Sequence, residues 1–264
     1  MKVVVYDLKG QEAGHIDLGQ AFSMPVRTDI IIRAVIAEQA SARQPYGVNP
    51  LAGKRTSAHY HGLRRYRWSM MNKEMARMSR IHHQGYLDYT ARFVPQAIKG
   101  RPAHPPKVEK VWAKKMNKKE ILFAILAGAA ATMDAKAVAK RGHIINGSKL
   151  PIVVKDDIEK ISKTSEILAF LEKIGLGSEI ERCKCANKRA GRGKSRGRST
   201  KAKVGPLIVV KSDKGIGKIK AIDVSTVNRL MVSQLASGGL PGRLCIWSTS
   251  AAEEMKKLYS KLRG

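Results

Sequence analysis

The chain has 264 residues, 43% of them hydrophobic, enough to enclose a sizeable core in one large domain or two small ones. Its 50 lysines and arginines against 21 aspartates and glutamates give a formal net charge of +29, which points to a polyanionic partner, nucleic acid before an anionic membrane face. No apolar run approaches the roughly 20 residues of a membrane span, and "MKVVVYDLKG" is too short an apolar run for a secretory signal, so a membrane span and export are both disfavoured.

In chain order, Val3 to Tyr6 reads as a short buried strand and Arg27 to Ala40 as a helix. Between Ser41 and Lys110 regular patterning stops. That stretch carries 14 basic and 3 acidic residues, six of the ten prolines, seven of the fourteen aromatics and five of the seven histidines. Pro and Gly punctuation in "QPYGVNPLAGKR" and "IKGRPAHPPK" keeps both ends out of helix and central strand. Disordered segments are poor in aromatics, so Tyr46, Tyr60, Tyr66, Trp68, Tyr86, Tyr89 and Phe93 argue for ordering on a partner, by stacking on bases or packing in crevices while Arg and Lys meet phosphates. Within the stretch, Met71, Met75 and Met78 have helical spacing and predict a short amphipathic helix. The stretch leaves an α/β unit and returns to it; about 30 residues out and 30 back reach on the order of 100 Å if fully extended.

The regular pattern then resumes. Lys118 to about Lys140 reads as one helix, opened by Asn117 and Glu120 as a capping-box variant and closed by Gly142. Ile152 to Val154 reads as a strand, Asp156 and Asp157 as caps of the turn into Ile158 to Ile161, and Ser165 to Ile174 as a helix stopped by Gly175. Lys184 to Lys203 holds 9 basic residues and no acidic one. Strands over Leu207 to Val210, Ile219 to Val224 and Leu244 to Trp247, and a helix over Ala251 to Leu262, complete the chain. This alternation predicts an α/β fold, a largely parallel central sheet flanked by helices, with a long extended internal loop.

Catalytic chemistry finds little support. "GRGKS", Gly191 to Ser195, ends like a phosphate-binding loop, but Lys188 stands where that pattern needs Gly; in "GIGK", Gly215 to Lys218, Ile219 replaces the required hydroxyl residue. His59 and His61, His82 and His83, and Cys183 and Cys185 lack zinc-ligand spacing, so no metal and no cofactor is expected. The three cysteines, with Cys183 and Cys185 too close for a relaxed bridge, fit a reduced cytoplasmic setting. No general acid and base pair stands out, so the chain does not read as an enzyme.

At "RQPYG", "AGKRTSA", "VPQAIKGRPAHPPK", "RGH" and "GGLPGRL" the chain resembles the family of large-subunit ribosomal protein four in its archaeal form, along essentially its whole length. The resemblance implies a globular α/β domain over residues 1–43 and 108–264 and an extended basic loop, 44–107, that penetrates large-subunit rRNA. It implies as partners that rRNA, neighbouring large-subunit proteins and the nascent polypeptide in the exit tunnel, with no membrane and no small-molecule substrate. The loop tip, which in that family helps narrow the tunnel, maps to His61, Gly62, Leu63, Arg64, Arg65, Tyr66, Arg67 and Trp68, where "HYHGLRRYRWSMMNKEMARMSRIHHQGY" is longer and bulkier than the family's usual Gly-rich turn.

Arginines there are expected to neutralise phosphates while Tyr60, Tyr66 and Trp68 stack on bases. The full expected RNA contact set is Arg43, Tyr46, Lys54, Arg55, His59, His61, Arg64, Arg65, Tyr66, Arg67, Trp68, Arg77, Arg80, Arg92, Lys99, Arg101, His104 and Lys107 in the loop. In the second segment it is Lys188, Arg189, Arg192, Lys194, Arg196 and Arg198. Two other readings compete: an RNA-modifying or RNA-processing enzyme with basic extensions, which lacks a Gly-rich cofactor loop, and a DNA-compacting protein, which leaves the anchored excursion unexplained.

Overall fold

The computed structural model describes residues 1–91, 94–145, 149–212, 216 and 221–263. Strands β1 (Lys2–Tyr6) and β2 (Glu12–Asp17) precede helix α1 (Thr28–Ser41). After the basic stretch come α2 (Lys118–Ala131), α3 (Ala135–Lys140), β3 (Ile152–Val154), α4 (Thr164–Lys173) and α5 (Gly177–Lys184). A ribbon of β4 (Asn187–Lys188) and β5 (Thr200–Lys201) leads to β6 (Leu207–Val210), β7 (Asp223–Thr226), α6 (Val232–Leu235), β8 (Cys245–Ser248) and α7 (Thr249–Arg263). The six-stranded sheet has the order β2-β1-β3-β8-β6-β7, with every neighbouring pair parallel except β1 and β2.

The strand sequences account for this layering. "IVV", "LIVV" and "CIWS" are buried at every position, as strands covered on both faces must be. Successive side chains alternate between faces. Val153, Leu207, Val209, Cys245 and Trp247 therefore meet α2 and α7 through Leu126, Ala129, Ala252 and Met255. Ile152, Val154, Ile208, Val210 and Ile246 meet α4 and α5 through Phe170, Leu171 and Ile180. A further apolar cluster joins α1, α2 and α6 through Ile31, Val35, Ala127 and Val232. The Ala-rich α2 is buried from Leu126 to its end, and among the described residues no helix is long and apolar enough to cross a membrane.

Several expectations need correction. The helix over Lys118 to Lys140 is two helices, because Asp134 leaves the helical conformation and accepts a hydrogen bond from Lys136 N at 2.9 Å, starting α3 afresh. Asp156 caps a different element than expected: its carboxylate accepts from Ser250 N at 2.8 Å and Ser250 Oγ at 2.6 Å, at the start of α7. No helix runs through Met71, Met75 and Met78. Asn72 has φ 56°, and tight turns close with Met75 N donating to Lys73 O at 2.7 Å and Met78 N to Ala76 O at 3.0 Å. The strand expected over Ile219 to Val224 is observed over Asp223 to Thr226, with Ile219 outside the described residues, as is most of "GIGK".

By contact density the chain divides into two compact units, Met1–Ala42 with Ala113–Gly264, and Arg43–Trp112. The second contains, among its described residues, one isolated antiparallel bridge, His59 to Arg80, and one 3-10 turn, Gly85–Leu87. It is nonetheless not coreless. Ala58, Ile81 and Val94 are buried together with Met78, Ala91 and Ala97 against them, and Trp68 and Met70 are buried as well.

Candidate nucleic-acid interface

Within Arg43–Trp112 the two arms lie against each other. Val48 N donates to Pro106 O at 3.3 Å, and Arg101 Nη1 donates to Arg55 O at 2.6 Å. Gly53, at φ +85°, sits where any Cβ would collide with Pro102 O, so the close approach of the arms requires glycine there. At the base, the Tyr46 ring stacks on Trp112 at 5.5 Å between centroids, and the Arg43 guanidinium lies 3.9 Å over the Trp112 ring.

The middle of the unit is a ring cluster. His59, His61, His82 and His83 approach one another at centroid separations of 4.9 to 6.4 Å, with Tyr66 4.3 Å from His61. Trp68 lies 4.9 Å from His83 and 5.5 Å from Tyr89. Burial, then the neighbouring His82, His59 and His83, push the His61 imidazole below its ordinary value, so it is neutral at pH 7 and contributes packing rather than charge. Tyr89 OH donates to Arg67 O at 3.0 Å and meets Lys73 Nζ. Arg80 points inward, donating through Nη1 to Tyr89 O at 2.7 Å and through Nη2 to Ala76 O at 3.0 Å.

Consecutive turns, Tyr66 N to Leu63 O at 3.2 Å and Ser69 N to Tyr66 O at 2.9 Å, carry Arg64, Arg65 and Arg67 on the exposed rim of this cluster. Leu63 is 78% exposed. Of the expected contact residues in this unit, Arg43, Tyr46, Lys54, Arg55, His59, Arg64, Arg65, Tyr66, Arg67, Arg77, Lys99, His104 and Lys107 are exposed, although Arg43 and Tyr46 are engaged on Trp112. His61, Arg80 and Arg101 are half-buried, and Arg92 lies outside the described residues. Trp68 is the clear departure: expected to stack on a base, it is buried by histidines and Tyr89.

The second basic segment is a hairpin on the α/β unit. The pairs Asn187 with Lys201 and Lys188 with Thr200 form the ribbon, extended by Arg189 N donating to Ser199 O at 2.8 Å. A 3-10 turn, Arg192–Arg196, and Gly197 at φ 75° reverse the chain. Lys188, Arg189, Arg192, Lys194, Arg196 and Arg198 are all exposed, with no acidic residue among them.

At the ribbon's root Glu179 of α5 is fully buried, 2.6 Å from His143 Nδ1 and accepting from Ile144 N at 3.0 Å. Arg182 reaches it through Nε and Nη2, both at 2.7 Å. Burial opposes ionisation of Glu179, but Arg182, His143 and the Ile144 amide outweigh it and hold the carboxyl at about 2.

Sequence reasoning left Tyr86 and Ile98 off the contact set, yet they are 94% and 97% exposed. Tyr86 directly follows Gly85 in an aromatic-rich run, a signal that was available; Ile98 offered none. Arg182 lies within α5 and carried no signal, whereas Arg141, which follows α3, is the first residue of "RGH" and was marked only by the resemblance.

Residues 16–258 match the Ribosomal protein L4/L1 family. The chain is similar to the large ribosomal subunit protein uL4 of Nanoarchaeum equitans, 42% identical over 97% of this chain and 98% of that one. It is similar to the protein of the same name from Methanocaldococcus jannaschii, 40% identical over 98% and 100%, and from Sulfurisphaera tokodaii, 39% identical over 98% and 95%.

Proposed function

The chain belongs to the Ribosomal protein L4/L1 family, and from that premise we propose that this structural, non-catalytic constituent of the large ribosomal subunit binds large-subunit rRNA through its two basic segments. Within that reading, the turn bearing Leu63, Arg64, Arg65 and Arg67 contributes to the wall and constriction of the nascent-peptide exit tunnel, and residues 44–107 act as the penetrating loop.

The observation that carries the reading is the mismatch between cations and acids at exposed positions. Ser41 to Lys110 holds 14 basic and 3 acidic residues, and Lys184 to Lys203 holds 9 and none, so most of these charges have no acidic partner within their own segment. Concentrated, uncompensated charge of this kind is stable only in high dielectric or against phosphates. The buried ring cluster gives the exposed arginines a fixed platform, which lowers the ordering cost of binding. Neighbouring ribosomal proteins and the nascent chain are the further partners this placement implies.

The test is the salt dependence of binding to structured large-subunit rRNA. Log K should fall by roughly 0.7 to 0.9 per log unit of salt for each phosphate neutralised. Deleting Lys184 to Lys203 together with the basic loop should remove most of that slope; an unchanged slope puts the RNA surface elsewhere.

A further inference from the structure

Beside the root of the β4–β5 ribbon the α/β unit has a cavity of about 290 Å³ that none of the foregoing explains. Arg141, His143, Arg182, Asn187, Lys201 and Lys203 line it. Four of these are cations at neutral pH. Among the described residues the buried acid bonded to this lining is Glu179, engaged by Arg182, His143 and Ile144 N, so it balances Arg182, while Arg141, Lys201 and Lys203 make no ion pair there.

The walls are built rather than incidental. Arg182 Nη2 also donates to Val204 O at 2.7 Å, tying α5 to the segment after β5. Asn187 and Lys201 are directly opposed in the ribbon, so they share one of its faces. Arg141 is anchored through Nη1 to Leu240 O at 2.9 Å, while its Nε is buried with no hydrogen-bond partner among the described residues. A buried donor left unpaired is destabilising unless a ligand meets it. Burial, and then the nearby Arg243, lower the Arg141 pKa, the response of a guanidinium that lacks a counter-charge.

We infer that this cavity is a seat for one tetrahedral phosphoryl oxyanion, with Arg141, Lys201 and Lys203 supplying charge and Asn187 a neutral donor. Arginine and lysine converging on a small polar cleft match phosphate oxygens in geometry and charge. The cavity volume suits a single phosphate with part of its attached sugar, and lies near the lower bound of small-ligand pockets. The oxyanion comes from an RNA backbone phosphodiester or from free phosphate. The first source rests on the RNA-binding reading above, whereas the seat itself does not.

Two arms on the full chain test this. In the first, melting is followed in inorganic phosphate and in chloride at matched ionic strength. Phosphate should raise the melting temperature by roughly 2–4 °C more than chloride, and Lys201→Ala or Lys203→Ala should abolish the difference. Among the described residues neither lysine side chain makes a hydrogen bond or an ion pair, so both variants should fold. In the second, affinity for structured rRNA is measured for Lys201→Ala, Lys203→Ala and the double variant, with Arg196→Ala plus Lys203→Ala as the control pair. Two lysines on one phosphate give a double variant weaker by clearly less than the product of the single losses, while the control pair multiplies.

A phosphate-specific shift with a non-multiplicative lysine pair identifies an RNA phosphate in the seat. The same shift with RNA affinity indifferent to both lysines keeps the seat and assigns it to free phosphate. No phosphate-specific shift, together with losses that multiply across all pairs, overturns the proposal. Failure of the wild-type chain to bind rRNA, with the phosphate shift intact, removes the RNA reading and leaves the seat standing.

Discussion

Glu179→Gln separates charge from shape at the centre of the α/β unit's polar network. The carboxyl falls from an ordinary 4.5 to about 2 in the folded chain. At about 1.4 kcal/mol per pH unit, that drop corresponds to about 3 kcal/mol favouring the ionised folded state. Because the folded value is depressed, the contribution is fully present above about pH 4.5 and is lost as pH falls towards about 2. The amide keeps the volume but cannot ionise, and it presents an N–H₂ group to donors that need an acceptor. The variant should therefore lose about 3 kcal/mol at pH 7, in line with removing one partner of a buried pair. Urea denaturation of both proteins from pH 7 down to pH 3 measures it, read as the midpoint of the α/β unit's transition. The gap should narrow below about pH 4.5, because the unfolded chain's Glu179 takes up a proton that the folded carboxylate, held at about 2, does not. A loss under about 1 kcal/mol at pH 7, or a gap that stays constant down to pH 3, would refute the assignment of the stabilisation to this carboxylate.

Three further outcomes follow from the geometry. Arg64→Glu with Arg65→Glu reverses two exposed charges expected to face phosphates and should impair subunit assembly, whereas Arg64→Ala with Arg65→Ala should assemble but alter pausing on a stalling peptide; ribosome profiles score both, and normal results for both pairs would remove this turn from the tunnel wall. Excising Lys54 to Arg101 and joining Gly53 to Pro102, which already touch, should leave the cooperative melting of the α/β unit intact, checked by calorimetry. Glu38 of α1 accepts from Val232 N at 2.9 Å and Ser233 N at 2.8 Å, so Glu38→Ala should cost about 1–2 kcal/mol by uncapping α6, seen as a lowered urea midpoint at unchanged slope.

The buried strands were legible because a strand covered on both faces has nowhere to put a polar side chain; Ile152 to Val154 and Leu207 to Val210 occur as read. Strand β2 escaped notice because "EAGHID" is exposed nearly throughout and takes its order from pairing with β1. Helix α5 was hidden by charge: "GSEIERCK" buries Ile180 and Cys183 but also Glu179, whose burial depends on Arg182 and on His143 far away in sequence. The basic segments were conspicuous from charge counts alone. What composition does not encode is which of their side chains turn inward, as Trp68 and Arg80 do, because that depends on contacts such as Arg80 to Tyr89 O that no periodicity announces.

Strand order in the central sheet bears on how the molecule is made. β8 lies between β3 and β6, so the half-sheet β2-β1-β3 and the pair β6-β7 are joined only by the last strand of the sheet to be synthesised. Until Ser248 has been added, the α/β unit cannot close, yet the basic residues from Arg43 onward are already translated. At 5–20 residues per second, that interval is about 10–40 s. Throughout it, a highly cationic nascent segment is exposed beside abundant RNA with no folded carrier to hold it. A circular permutant that moved β8 ahead of the basic residues would shorten that interval.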